Sequence, residues 1–153
     1  MIEVFFDGCC EPVNPGGTAS FGVVILKDGD RIYEASKIFN PEKGREKETS
    51  NNVAEYSGLR DALQWLIDNA LTNERIKVYG DSQLVIQQMW GTWGMNSGFY
   101  IPIAQQCKKM IPAFSDISGQ WIPREENTMA DELSKAELLK AGVKFRIQPV
   151  KKG

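Results

Sequence analysis

Apolar and polar positions change period several times along the chain, and each change marks an element. Residues 2–7 (Ile-Glu-Val-Phe-Phe-Asp) are an apolar run closed by an acid and then Gly8, which reads as a strand. Residues 20–27 form a second such run, and alternation over residues 31–39 makes a third. Asp28-Gly29-Asp30 between them has hairpin chemistry, so an antiparallel meander is expected. Residues 8–19 are dense in turn formers and read as a loop, and residues 40–48 as a solvated link.

The period then lengthens. Val53, Ala54, Leu59, Ala62, Leu63, Leu66, Ile67 and Ala70 recur at helical spacing, and Thr49-Ser50-Asn51-Asn52 ahead of them offers several capping side chains. Residues 76–81 return to alternation, a fourth strand, and residues 82–90 form a short helix. After a break from Gly91 to Gly98, residues 99–110 read as a helix with Pro102 in its first turn, ended by Ile111-Pro112. Residues 117–122 are a fifth strand. Asn127 or Thr128 caps a last helix that runs to about Lys140 and stops at Ala141-Gly142. Residues 143–150 look extended and could add a strand. The order βββαβααβα predicts an α/β fold, a mixed five-stranded sheet with helices on both faces, followed by a C-terminal tail.

Length and composition narrow the class. The chain has 153 residues, 42% hydrophobic and 25% charged, which suits one ordinary domain with a real core. No apolar run approaches the roughly 20 residues of a membrane span, and the start lacks the pattern of a signal peptide. Three cysteines, with Cys9 and Cys10 adjacent, indicate no disulfide framework and fit a reducing cytoplasm. There is no His, which excludes His-based triads, His zinc ligands and a His general base. A net charge of −2 argues mildly against nucleic acid as a partner. The distribution offsets this: residues 134–153 carry Lys135, Lys140, Lys144, Arg146, Lys151 and Lys152 against Glu137 alone.

The acids upstream carry the candidate chemistry. Asp7 and Asp81 both close strands, and if those strands are parallel neighbours the two carboxylates face each other. In open α/β sheets chemistry gathers at the carboxyl ends of strands. Two facing carboxylates repel unless a cation lies between them. Glu55 lies early in the long helix, and Asp131 early in the last one, with Glu132 as a rival ligand. An all-oxygen set suits Mg²⁺ or Mn²⁺. Two such ions about 3.5–4 Å apart stabilise the attacking and leaving oxygens of a phosphoryl displacement, and a metal-bound water replaces the missing His base. Each residue also has a plainer reading. Asp7 and Asn14 could shape turns, Asp81, Asn51 and Asn52 could cap helices, and Glu55 and Asp131 could favour helix dipoles.

Four motifs in order are more specific than any one: Phe6-Asp7-Gly8 with Asn14-Pro15-Gly16-Gly17 and Phe21-Gly22; Thr49 through Glu55; Asp81-Ser82-Gln83; and Asn127 through Leu133. Together they resemble a type 1 ribonuclease H over about residues 2–140. The resemblance implies the ribonuclease H-like fold, with a catalytic domain over residues 1–140 and a basic tail over residues 141–153. It implies endonucleolytic hydrolysis of the RNA strand of RNA–DNA hybrids with two Mg²⁺ or Mn²⁺, giving 5′-phosphate and 3′-hydroxyl ends. Asp7, Glu55, Asp81 and Asp131 would be metal-binding and catalytic. Asn14, Asn51, Asn52 and Gln83 would contact the hybrid in its minor groove, and Ser50 (or Thr49) a DNA phosphate.

The chain departs from the better-known bacterial pattern in ways that look like the archaeal-type subgroup. The loop before Asp131 has no His, leaving Arg124, Glu125 or water in its place. The basic grip is reduced to residues 89–94, where Trp90 or Trp93 could stack on the DNA strand or simply pack. Nothing indicates a protein partner, so a cytoplasmic monomer is expected. Two rival functions share parts of the pattern. A hybrid-binding module would not need four acids, and another nuclease of the same superfamily fold would lack the Asn-Asn and Asp-Ser-Gln contacts. Met1 directly ahead of the first strand favours a free-standing protein over a domain cut from a polyprotein.

Overall fold

The computed structural model describes residues 1–145. Its first strand, β1 (Ile2–Glu11), forms a hairpin with β2 (Thr18–Lys27), in register from Ile2 opposite Lys27 to Glu11 opposite Thr18. The expected loop over residues 8–19 therefore shrinks to residues 12–17. Cys9, Cys10 and Glu11 are ladder residues, and the turn begins only at Pro12, which has no N–H to give. Strand β3 (Asp30–Phe39) follows after Asp28 and Gly29, whose φ of 51° and 87° suit a type I′ turn.

Helix α1 (Asn51–Asp68) starts where Ser50 accepts the Val53 N–H at 3.2 Å, so Ser50 is the cap among the four candidates. Strand β4 (Arg75–Gly80) lies parallel to β1, and β5 (Asp116–Trp121) lies parallel to β4. The sheet order is β3-β2-β1-β4-β5, a mixed five-stranded sheet as expected. Between β4 and β5 run α2 (Gln83–Trp90) and α3 (Ile101–Met110). Ile111-Pro112 tightens α3 into a 3-10 turn over Ile111–Ala113 rather than ending it at once. Helix α4 (Thr128–Lys140) ends at Gly142, φ 76°, with Val143 N–H donating to Leu138 and Gly142 N–H to Leu139, a Schellman stop.

Alternation along the strands splits the sheet into two faces. Ile2, Val4, Phe6, Phe21, Val23, Ile25, Ile76 and Val78 pack under Leu59, Leu63 and Leu66 of α1 and under α2 and α3. Each fully buried large aliphatic side chain contributes roughly 1.5–3 kcal/mol. Helix α4 covers the other face, over β1, β2 and β3. Residues 143–145 are not in a strand, and the remainder of the expected extra strand lies outside the described residues. Among the described residues no helix is long and apolar enough to cross a membrane.

Candidate active site

Parallel pairing puts Phe6 opposite Gly80, so Asp7 lies beside Asp81; Asp81 follows the end of β4, whereas Asp7, expected to close its strand, sits within β1, which stays paired with β2 as far as Glu11. Asp81 does not cap α2; Ser82 does, accepting the Val85 N–H at 3.3 Å, which leaves the Asp81 carboxylate to face its neighbour. Glu55 joins them because α1 presses onto β1 at Gly8. A Cβ there would lie 2.5 Å from the Glu55 nitrogen, so only bare backbone permits the contact. On the opposite face Gly22, the cross-strand partner of Asp7, gives the same clearance to α4: a Cβ would lie 2.3 Å from the Ala130 carbonyl oxygen. Glycine-scale spacing on both faces thus draws acids from four elements to one end of the sheet.

One carboxylate oxygen from each of Asp7, Glu55 and Asp81 lies within 4.8 Å of the others. Asp131 lines the same cavity, of about 160 Å³, with Asn51, Arg124 and Lys135. Two protein cations flank its carboxylate. Arg124 Nε and Lys135 Nζ each lie 3.6 Å from its Oδ1.

The cluster is electrostatically overloaded. Burial, then the Asp81 charge, holds the Asp7 carboxyl well above the ordinary range, while Lys135 pulls it down. Burial, then Asp7 and Asp81, does the same to Glu55, against a hydrogen bond from the Gly8 N–H. Asp81 is raised by burial and eased by the Asn127 amide. Glu55 Oε2 is buried with no hydrogen-bond partner. Crowded hard oxygens, raised proton affinity and an orphaned buried carboxylate oxygen together fit a divalent cation.

Residues 5–137 match the family described as reverse transcriptase-like. The curated ribonuclease HI of Halobacterium salinarum is 31% identical over 137 residues, which span 90% of this chain and 64% of that protein. A bifunctional protein of Mycobacterium tuberculosis is 32% identical over 121 residues, 79% of this chain and 31% of its own. The chain thus spans less than two-thirds of the length of these curated relatives. The crystal structure of a ribonuclease H1 isolated from compost, solved with an RNA/DNA hybrid, superposes with a TM-score of 0.74 at 31% identity, covering 92% of this chain and 99% of that one. The chain belongs to the type 1 ribonuclease H family.

Around the acids of this type 1 ribonuclease H, the other expected residues divide. Asn14 accepts the Asn51 N–H at 3.0 Å, tying the 12–17 loop to the start of α1. Asn51 Oδ1 is itself buried without a partner, in the cavity lining. Asn52 is half-buried in the first turn of α1, and Gln83 is exposed at the head of α2. Arg124 reaches the cavity, whereas Glu125 is exposed outside it. Trp90 is half-buried and packs its ring onto Gly119 of β5, where a Cβ would lie 2.1 Å away. Trp93 remains 48% exposed in the segment before α3.

Four residues were not foreseen at the site. Asn127, expected as a cap, makes no capping bond. It is fully buried and donates to the Phe6 carbonyl at 2.9 Å and to Asp81 Oδ2 at 3.3 Å. Ser134 Oγ lies 3.2 Å from Asp7 Oδ2, placed to donate. Trp121 Nε1 donates to the Asp81 carbonyl at 3.1 Å. In the sequence Lys135 counts only toward the basic stretch over residues 134–153, although its i+4 spacing from Asp131 was a signal for the pair.

Proposed function

We propose that the chain hydrolyses the RNA strand of RNA–DNA hybrids endonucleolytically, with Asp7, Glu55, Asp81 and Asp131 holding two Mg²⁺ or Mn²⁺. The observation that carries this reading is the Asp7–Glu55–Asp81 cluster with its unpartnered Glu55 oxygen. The related structure solved with an RNA/DNA hybrid supports the substrate. When bound, the ions would acidify the attacking water and stabilise the charge on the leaving oxygen.

The residues themselves do the positioning. Asn127 fixes the Asp81 carboxylate from a buried anchor on β1. Water adds to phosphorus, the P–O3′ bond breaks, and a solvent proton ends on the 3′ oxygen, leaving a 5′-phosphate. Arg124, in place of a His, faces the scissile phosphate as a charge rather than as a proton donor. Asn51 lines the cavity and its Oδ1 is a buried acceptor without a partner, which suits the 2′-OH, the donor that RNA has and DNA lacks. Asn14, Asn52 and Gln83 extend that contact along the minor groove. Ser50 Oγ already accepts the Val53 N–H and keeps its own hydrogen for a DNA phosphate. Trp93 offers an exposed ring near the DNA strand. We place the enzyme, as a monomer, in a reducing cytoplasm, consistent with three buried free thiols.

The test is cleavage of an end-labelled hybrid with Mg²⁺ or Mn²⁺ by the wild type and Asp7→Asn. Cleavage to 5′-phosphate products by the wild type alone is expected. Tight binding without cleavage by the wild type would replace this reading with a hybrid-binding module.

A further inference from the structure

Lys135 occupies a position unlike any other lysine of the described chain. Its side chain is 5% exposed, on the face of α4 that packs against β1 and β2. Lys140, on the same helix, is 75% exposed and pairs with Glu137 on the surface. A buried ammonium is tolerated only when paired, and here the pairing is with the candidate metal site. Nζ lies 3.6 Å from Asp131 Oδ1, and its field lowers the proton affinity of both Asp7 and Cys9. The Phe145 ring, with its centroid 5.7 Å from Nζ, adds a cation–π contact. Four carboxylates thus share one end of the sheet with two fixed cations, one of them, Arg124, 36% exposed and the other buried.

We propose that the Lys135 ammonium is a resident counter-cation of the carboxylate cluster, one that competes with divalent ions and so lowers their affinity. The inference rests on the reading of the four acids as a metal site. With no ion bound, Lys135 offsets part of the repulsion among Asp7, Glu55, Asp81 and Asp131. An entering ion meets a field already reduced by that charge, and meets Asp131 already engaged. Removing the charge therefore acts in one direction on two quantities: the metal-free protein loses stability, and the metal-bound state gains relative to it.

The test is Mn²⁺ binding without nucleic acid, by calorimetry and water-proton relaxation, for the wild type, Lys135→Met, Lys135→Gln, Lys135→Arg and Lys140→Met. Lys135→Met and Lys135→Gln are expected to bind Mn²⁺ about tenfold more tightly. Both should melt lower in EDTA and show a larger Mn²⁺-induced rise in Tm. Lys135→Arg, which keeps the charge, and Lys140→Met should match the wild type. A purely structural role would weaken Mn²⁺ binding along with stability. Unchanged or weaker Mn²⁺ binding by folded Lys135→Gln would overturn the proposal while leaving the metal site standing. No Mn²⁺ uptake by the wild type would overturn the metal site and this inference together.

Discussion

Consecutive residues of α1 lead into two opposite kinds of buried polar cluster. Glu55 enters a group of like charges with a carboxylate oxygen left unpartnered. Tyr56 enters a neutral network in which its hydroxyl donates to Gln88 Oε1 at 2.6 Å. Gln88 Nε2 in turn donates to the Tyr100 hydroxyl at 2.9 Å and the Gly94 carbonyl at 3.0 Å. The Tyr56 and Tyr100 rings stack at 5.5 Å, closing the network between α1, α2 and α3. Both clusters are buried, so burial does not distinguish them. Satisfaction does: the Gln88 network finds its partners within the chain, while the acidic cluster, even with Lys135 and Arg124 beside it, leaves a Glu55 oxygen unpartnered. The first kind holds the fold together. The second is maintained at the expense of stability, which points to use.

That contrast can be broken in order of effect. Glu55→Gln should lower kcat on a hybrid on the order of a thousandfold, yet leave the metal-free melting temperature equal or higher, because a like charge is gone. Parallel cleavage assays and thermal melts in EDTA read both. Gln88→Leu should do the reverse. It strands the Tyr56 and Tyr100 hydroxyls and should cost about 2–3 kcal/mol in denaturant unfolding, with cleavage per folded molecule unchanged.

The pH dependence sharpens the comparison further. Asp7, Glu55 and Asp81 have folded-state pKa values raised above those of the unfolded chain. Their contribution to stability is therefore fully present below the unfolded values of about 4 and is lost as pH rises through the raised ones. The Tm of the metal-free wild type should fall relative to Asp7→Asn as pH climbs from acid to neutral, and added Mn²⁺ should close the gap. A gap that stays constant with pH would sink the claim of electrostatic overload. Smallest of all, Tyr100→Phe should cost about 1 kcal/mol, since Gln88 Nε2 keeps its bond to Gly94.

Most of the fold was legible because its signals were local: the apolar run of β1, alternation closed by Gly80-Asp81 for β4, Asp28-Gly29 for the hairpin, and a cap followed by periodic Leu for α1. The errors came where a local signal had two readings. The Cys9-Cys10-Glu11 extension of β1 was hidden among turn formers, and its strand character comes from pairing with β2, which no short window shows. Asn127 has the chemistry of a cap and spends it on Phe6 and Asp81 instead. Asp7 and Asp81 were legible as a pair because β1 and β4 needed only to be parallel neighbours, even though β1 runs on past Asp7. The burial of Lys135 was missed because it depends on how closely Gly22 lets α4 approach, which no short window shows. What the sequence did not show is that Arg124 and Lys135 both flank the Asp131 carboxylate.

The four acids are spread from position 7 to position 131: Asp7 on β1, Glu55 on α1, Asp81 just after β4 and Asp131 on α4. During synthesis, three of them can be in place while the fourth is still in the ribosome. The proposed site is therefore incomplete until α4 has docked across Gly22. Hydrolysis of a hybrid would then serve as a clock for the end of folding, and its lag behind sheet formation would time the arrival of α4.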